Sequence, residues 1–371
     1  MHKASQSVLE INLDALQHNY HYFKNRLNPE TKFLAVVKAY GYGSHAQEIA
    51  NALQQLGADY LAVAYVHEGI ALRDAGITLP ILVLHPQPVN FKLAIERCLE
   101  PSIYSPNILR TFKEIARDQT AYPVHLKFNT GLNRLGFWEN DVEFIANELK
   151  NTSCMEIRSV FSHLAASDDL NEHVFTTTQI ETFNQLYNNI SEVLNIQPIK
   201  HILNTSGILN YADAQFDMVR CGIGLHGYAN NPEIDSALKP TARLKTIISQ
   251  IHKLEPNETV GYNRAYSSSG YQTTATLPIG HADGIGRHFG NGVGHVYVNG
   301  TSAPIIGNVC MDMLMIDITG IECKEGDEVV IFGGSHSAEA LAGKARTISY
   351  ELLTGISQRI PRKIIGRINS F

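Results

Sequence analysis

The chain has 371 residues, of which 44% are hydrophobic and 18% charged, and its formal net charge is -6 at pH 7. This length exceeds the usual size of one domain, so we expect one large and one medium domain. The acidic balance and the lack of a Lys/Arg run argue against a nucleic-acid partner, and no apolar run is long enough to span a bilayer. Five scattered cysteines without a C-x-x-C pair and a polar first segment, MHKASQSVLEINLDAL, predict a cytoplasmic protein with reduced thiols and no signal peptide.

The N-terminal part of the chain alternates short apolar runs with helical periodicity, from residue 13 to about residue 225. The first helical face consists of Leu13, Leu16, Tyr20, Phe23 and Leu27. The predicted strands are KFLAVV, YLAVA, LPILVL, EPSIY, PVHLKF, EIRSVFSHL, IKHILN and FDMVRCG. Such an alternation predicts a closed (β/α)8 barrel of the TIM type. An open doubly wound sheet is the alternative, but GYGSHA matches its G-x-G-x-x-G fingerprint only in part.

The pattern changes near YANNPEIDSALKP. The strand-like runs beyond it are ARLKTIISQIHKL, TTATLPIG, GHVYVNG, SAPIIGNVCMDMLMIDIT and DEVVIFG. TISYELLTGI predicts a helix, and GGSHSAEALAG a loop. We therefore expect an α/β fold in which residues 1–235 form the barrel and residues 236–371 a mostly β C-terminal domain.

Charged side chains stand at the ends of several predicted barrel strands, where such barrels carry their active sites. Lys38 follows the apolar run FLAVV. Desolvation favours a neutral amine there, and a neutral amine is a nucleophile toward aldehydes. Lys127, His163 and Arg220 end or flank other strands. Each has a plainer interpretation: Lys38 as an exposed strand end, Lys127 as an ion-pair partner and His163 as a structural histidine.

A phosphate site is predicted on the same barrel face. HILNTSG places hydroxyls, including that of Thr205, at the start of a helix, and Gly222 and Gly224 follow Arg220. Free N–H groups and a helix dipole are what a phosphate needs. A phosphate site beside a desolvated lysine indicates pyridoxal 5'-phosphate bound as a Schiff base. No H-x-E-x-H or H-E-x-x-H spacing occurs, so we assign no metal site.

The chain resembles the bacterial alanine racemases over essentially its whole length. The segments that carry the likeness are AVVKAYGYG, LKFNTGLNRLGF, FSHLAASD, LNTSG, MVRCGIGLHGY, VGYNRAY, LPIGHADGIGR, APIIGNVCMDM and ISYELLTGI. The resemblance implies an enzyme that interconverts L-alanine and D-alanine with pyridoxal 5'-phosphate and supplies D-alanine for peptidoglycan. It also implies a homodimer in which the second domain of one chain covers the barrel mouth of the other.

The resemblance further implies roles for individual residues. Lys38 carries the cofactor and removes the α-proton of D-alanine, and Tyr262 in VGY removes that of L-alanine. The remaining cofactor residues are Tyr42, Thr205, Gly222, Ile223 and Tyr350 around the phosphate, Arg220 opposite the pyridine nitrogen, and His163. The substrate contacts are Arg134 and Met311, and the supporting residues are Lys127, Asp312 and His281. In the family, the lysine that Lys127 matches is often carbamylated and orients the arginine.

Three positions depart from the family pattern: AYGYG replaces the common A-N-A-Y-G after the lysine, His281 replaces a tyrosine, and Thr205 replaces a serine. The alternatives are a broader racemase, for example for serine, a non-catalytic pyridoxal-phosphate protein and a related decarboxylase. Arg220 disfavours the decarboxylase, because arginine stays protonated and cannot give the ring nitrogen a proton as a carboxylic acid would. The extra domain with its second base disfavours the non-catalytic protein.

Overall fold

The computed structural model describes residues 6–150 and 152–368, and its N-terminal part contains a barrel of parallel strands. The strands up to residue 221 are β1 (Val8–Asn12), β2 (Lys32–Val36), β3 (Tyr60–Val63), β4 (Ile81–Val83), β5 (Glu100–Ile103), β6 (Tyr122–Lys127), β7 (Met155–Phe161), β8 (Ile199–His201) and β9 (Met218–Cys221). The barrel order is β8-β7-β6-β5-β4-β3-β2-β9. Backbone bonds from Asp217 N to Lys200 O, 3.1 Å, and from Arg220 N to Leu203 O, 3.0 Å, join β8 to β9. The predicted barrel is confirmed.

Helices connect the barrel strands. The helices are α1 (Leu13–Lys24), α2 (Lys38–Tyr42), α3 (Ala46–Gln55), α4 (Val66–Asp74), α5 (Phe91–Glu96), α6 (Pro106–Ile115), α7 (Val142–Leu149), α8 (His173–Leu194), α9 (Thr205–Asn210), α10 (Pro232–Asp235), α11 (Ala338–Lys344) and α12 (Ser349–Gly355). In α1 the side chain of Asn12 accepts from Ala15 N at 3.1 Å and caps the helix. Its predicted apolar face is buried through Phe23, while Leu27 lies beyond the end of the helix.

The second part of the chain forms a large, mostly antiparallel sheet. Its strands are β10 (Ala242–Ile247), β11 (Gln250–Leu254), β14 (Gln272–Leu277), β15 (His295–Val298), β16 (Thr301–Ile306), β17 (Leu314–Asp317), β18 (Glu328–Phe332) and β19 (Arg362–Ile365), while β12 (Thr259–Val260) and β13 (Tyr266–Ser267) form a separate ribbon. The predicted β-rich domain is confirmed.

The N-terminal strand β1 belongs to this second sheet. It pairs antiparallel with β10 and parallel with β19, and Leu9 and Ile11 are buried there. The division at residue 235 assigned these residues to the barrel, and as a domain boundary it stays a prediction. Local alternation indicates a strand but does not say which sheet the strand joins.

The segment GGSHSAEALAG contains a helix, so its prediction as a loop is wrong. The Ser337 side chain accepts from Glu339 N at 3.1 Å, and α11 follows with Ala338 and Leu341 buried. The other glycines and serines precede the helix, with Ser337 as its N-cap, and Gly343 lies in its last turn, so none of them interrupts it. Within the described residues, no helix is both long and apolar enough to cross a membrane.

Candidate active site

A cavity of about 1090 Å³ opens at the C-terminal ends of the barrel strands. The predicted residues that line it are Lys38, Tyr42, Lys127, Arg134, His163, Thr205, Arg220, Gly222, Ile223 and Tyr350. Residues from both halves of the sequence therefore meet at one mouth. The cavity is also lined by Asp168, Asn230 and Ile348, which the sequence did not single out.

Lys38 begins a left-handed turn. Residues 39–43 all have positive φ, between 52° and 79°, although only two of them are glycines. Left-handed backbone is unfavourable for other residues and persists only where its surroundings hold it. Glu68 helps to stabilise the turn, because its carboxylate accepts hydrogen bonds from Ala39 N at 2.6 Å and from Ala64 N at 2.7 Å. The predicted glycine-rich turn is thus a fixed left-handed turn that presents Lys38 to the cavity.

Burial and neighbouring cations lower the pKa values of Lys38, Lys127 and His163 in the cavity. Burial lowers the pKa of Lys38, and the charge of Arg134 lowers it further. Burial and then Arg134 lower the pKa of Lys127 to about 8. The pKa of His163 lies well below its ordinary value because the ring is buried beside Arg220 and the other cations. His163 is therefore neutral at physiological pH, and a larger share of Lys38 is in the neutral, nucleophilic form than in an exposed lysine.

Arg220 is buried and held on several sides. The two hydrogens on its Nη2 are shared among the carbonyls of Ser162, 2.7 Å, and Ile202, 2.9 Å, and His163 Nδ1, 3.0 Å. Its Nη1 donates to His201 Nδ1 at 2.7 Å. Burial lowers the pKa of Arg220 to about 9, so the guanidinium remains charged at neutral pH. These contacts fix a cation at the floor of the cavity.

Thr205 and two glycines form a cradle for an anion. Thr205 Oγ1 accepts from Gly222 N at 3.1 Å and from Gly224 N at 3.4 Å, which fixes the Thr205 hydroxyl beside the Gly222 backbone at the cavity wall. A Cβ at Gly222 would collide with Tyr42 Oη, so only glycine permits this close approach. Backbone N–H groups, hydroxyls and nearby cations suit a phosphate.

The second domain contributes Tyr350, on α12, to the same mouth. Its hydroxyl accepts from Asn230 Nδ2 at 3.4 Å, and burial raises its pKa to about 12. Burial also raises the pKa of Tyr42. Both phenols are therefore protonated at neutral pH and can donate hydrogen bonds to an anion.

Four predicted residues lie outside this cavity, on an exposed face of the second domain. We call this face the Tyr262 surface; it consists of Tyr262, His281, Met311 and Asp312. Tyr262 is 75% and Met311 59% exposed. Asn308 Nδ2 donates to the Tyr262 carbonyl at 3.2 Å, and Ala282 N donates to the Met311 carbonyl at 3.0 Å. These bonds join three separate segments into one surface, which does not reach the cavity of its own chain.

Arg359 stabilises the Tyr262 surface from one side. Its Nε donates to the buried carboxylate of Asp283 and its Nη2 to Asp312, both at 2.6 Å. Sequence reasoning missed Arg359, as it missed Glu68, Asn230 and His201. A histidine within the buried strand segment IKHILN could have indicated His201, whereas the other three belong to no motif.

The barrel mouth described above defines a class: a (β/α)8 enzyme with a buried lysine of lowered pKa beside a group of hydroxyls and cations suited to an anion. The N-terminal and C-terminal domain models of alanine racemase match residues 11–230 and 241–364. The chain is 37% identical over 370 residues to alanine racemase 2 of Caldanaerobacter subterraneus subsp. tengcongensis, covering 97% of this chain and 95% of the relative. The chain belongs to the alanine racemase family, which confirms the resemblance inferred from its sequence.

Solved structures agree over the whole chain. The alanine racemase of the D-cycloserine producer Streptomyces lavendulae superposes with a TM-score of 0.93 at 29% identity, covering 99% of this chain and 98% of that one. The alanine racemase of Bartonella henselae, described with covalently bound pyridoxal phosphate, superposes with a TM-score of 0.89 at 26% identity, covering 98% and 100%. The likeness therefore includes both the barrel and the second domain.

Proposed function

We propose that the protein interconverts L-alanine and D-alanine, using pyridoxal 5'-phosphate bound to Lys38 as a Schiff base. The observation that carries the proposal is the cavity itself, where Lys38, with its lowered pKa, faces a buried Arg220 and an anion cradle. The relative from Caldanaerobacter is named an alanine racemase, and the Bartonella structure contains the cofactor. The product D-alanine would serve peptidoglycan synthesis in the cytoplasm.

The residues of the cavity fit this cofactor. The hydroxyls of Tyr42, Thr205 and Tyr350 and the backbone of Gly222 and Ile223 would hold the phosphate. Arg220 would face the ring nitrogen, donating a hydrogen bond without transferring its proton. Pyridoxal phosphate, when bound, withdraws electrons from the substrate Cα and so makes its proton acidic.

Racemisation by two bases needs one on each face of the substrate, and Lys38 would be one of them. Lys38 can accept the α-proton of D-alanine on its side. The raised pKa values of Tyr42 and Tyr350 make phenolate costly there, and His163 Nδ1 already accepts from Arg220. The family resemblance instead implies a tyrosine of the second domain as the second base.

We propose that Tyr262 of a second copy is that base, in a homodimer with shared active sites. Exposed large apolar side chains such as Tyr262 and Met311 are typical of surfaces that another chain covers. At the partner's mouth, Arg134 could stabilise the phenolate of Tyr262. Met311 and Arg134 would contact the substrate, with Lys127 beside Arg134 orienting it. His281 and Asp312 would border the same site.

One experiment tests the chemistry. The purified protein should turn yellow with pyridoxal 5'-phosphate, and borohydride should fix the cofactor to Lys38, as read by peptide mass mapping. Lys38→Ala should abolish both labelling and racemisation, whereas Lys32→Ala, at an exposed site on β2, should change neither. Quantifying D-forms from L-alanine and L-serine distinguishes an alanine racemase from a broader one. Labelling of another lysine would overturn the assignment.

A second experiment tests the shared site. Lys38→Ala and Tyr262→Phe should each be inactive, but a mixture of the two, after subunit exchange, should regain activity. Random exchange gives up to about a quarter of wild-type activity, because half of the dimers hold one intact site of two. Tyr271→Phe is the matched control, since Tyr271 is equally exposed in the same domain. No recovery despite demonstrated exchange would mean that both bases come from one chain.

A further inference from the structure

A chain of polar side chains crosses the interior of the barrel behind Arg220. Its hydrogen bonds run from Arg220 Nη1 to His201 Nδ1 at 2.7 Å, His201 Nε2 to Ser159 Oγ at 3.0 Å, Ser159 Oγ to His125 Nδ1 at 2.6 Å, and His125 Nε2 to Glu100 Oε2 at 2.8 Å. His201, Ser159 and His125 are fully buried. We call these five residues the barrel relay.

With both histidines neutral, the chemistry of the two ends fixes the position of every proton in the relay. Arginine can only donate, so His201 accepts at Nδ1 and carries its proton on Nε2. That proton is donated to Ser159, whose single hydroxyl hydrogen is then donated to His125 Nδ1. His125 in turn carries its proton on Nε2 and donates it to Glu100. All hydrogen bonds of the relay are therefore donated in the same direction, from the Arg220 guanidinium toward the Glu100 carboxylate.

The relay connects the two ends of the barrel. It passes through strands β9, β8, β7, β6 and β5 in turn, and Glu100 is the first residue of β5, at the end of the barrel opposite the cavity. Barrel interiors are ordinarily filled by layers of apolar side chains. Buried polar groups gain little stability over well-packed apolar ones, and they are costly wherever one lacks its partner. A contribution to folding stability alone therefore does not account for the barrel relay.

We infer that Ser159, His125 and Glu100 are positioning residues for Arg220, acting through His201. They fix the His201 tautomer that accepts from Nη1, and this holds the guanidinium in one orientation. The contacts described above use both Nη2 hydrogens and one on Nη1, which leaves Nε–H and the second Nη1–H for a ligand in the cavity that Arg220 lines. The inference rests on the proposed function, in which that ligand atom is the ring nitrogen.

Ser159→Ala tests the relay, because it removes the central hydroxyl and little else. Ser102→Ala is the matched control, because Ser102 is equally buried, at 0% exposure, and lies on β5 directly beside His125 of β6. The Ser102 hydroxyl donates outside the relay, to the Leu84 carbonyl at 2.8 Å. Glu100→Gln is a second relay variant at the far end of the barrel. It removes the terminal charge with almost no change in size, at the end of the barrel opposite the cavity.

The first measurement uses protein without cofactor, labelled with ¹⁵N-histidine. Wild type and Ser102→Ala should show slowly exchanging Nε2–H protons for both His125 and His201. Ser159→Ala should shift both signals and lose the protection of His201, because its N–H then has no acceptor. Absence of protected Nε2–H signals from wild type would overturn the relay itself, whether or not the protein is a racemase.

The second measurement uses the enzyme loaded with pyridoxal 5'-phosphate. Ser159→Ala should lower kcat for alanine about ten-fold, the cost of a weakened charged hydrogen bond, with KM within about two-fold. It should also move the absorption maximum of the bound cofactor. Glu100→Gln should change kcat in the same direction by less, and Ser102→Ala should match wild type. Equal kcat values and cofactor spectra in Ser159→Ala and Ser102→Ala would overturn the positioning role of the relay. An inactive wild type that keeps its protected signals would overturn the proposed function and leave the relay standing.

Discussion

Gly222→Ala tests the close approach on which the anion cradle depends. An added Cβ would collide with Tyr42 Oη and come within 3.1 Å of Tyr42 Cζ. Tyr42 has little room to retreat, since it is 7% exposed and its ring packs on His226 with centroids 4.8 Å apart. Overpacking of this kind costs about 1–3 kcal/mol. We expect the free energy of unfolding in urea to fall by that amount and the affinity for pyridoxal 5'-phosphate to fall with it.

A double-mutant cycle locates the cause of that loss. Tyr42→Phe removes the colliding hydroxyl, so it should recover part of the stability lost in Gly222→Ala, a coupling expected between residues in contact. Gly270→Ala is the control, because a Cβ there meets nothing within 4 Å and its backbone needs no positive φ. If Gly222→Ala costs no more than Gly270→Ala, or Tyr42→Phe gives no relief, the described packing of the cradle is wrong.

Three further predictions concern charge. Arg134→Gln should raise the pKa of Lys38, so the rate at which Lys38 is acylated in the cofactor-free protein should shift to higher pH. Native Lys127 has a pKa of about 8, against about 10.4 in the unfolded chain, so burying its charge costs stability below about pH 8 and this cost fades as the pH rises toward 10.4. Lys127→Met should therefore be more stable than wild type at pH 7 in urea unfolding. It should lose that advantage by pH 10. Arg220→Glu places a proton donor opposite the ring nitrogen, so racemisation should fall and pyruvate, the product of transamination, should appear. An unchanged reaction profile would remove the main argument against the alternative that the protein is a decarboxylase.

The barrel was predictable because its strands and helices have local periods. The left-handed turn after Lys38 was not, since Ala39 and Tyr40 disfavour positive φ and tertiary contacts impose it. One such contact comes from far along the chain: Arg362 Nη2 donates to the Gly43 carbonyl at 2.9 Å. Contacts of this separation leave no trace in a local pattern.

Some residues of the candidate site could likewise be predicted from the sequence, and others could not. Residues at strand ends, such as Lys38, Lys127 and Arg220, could be placed from sequence because a parallel barrel brings all its C-terminal strand ends to one mouth. Tyr262 could be identified only through the family resemblance, because its own chain leaves it exposed and away from the cavity. The barrel relay was missed since its members belong to different strands and meet only across the barrel interior.

The electrostatics of the cavity connect its stability to its chemistry. Lys38, Lys127, Arg134 and Arg220 share one mouth, where burial first and then their mutual repulsion lower the pKa values of Lys38 and Lys127. In the proposed function, a phosphate and a substrate carboxylate would bring the compensating negative charges, so their binding would relieve this cost. The same repulsion favours the neutral lysine that a Schiff base requires. An arrangement that is unfavourable for the free protein is thus what prepares Lys38 to react.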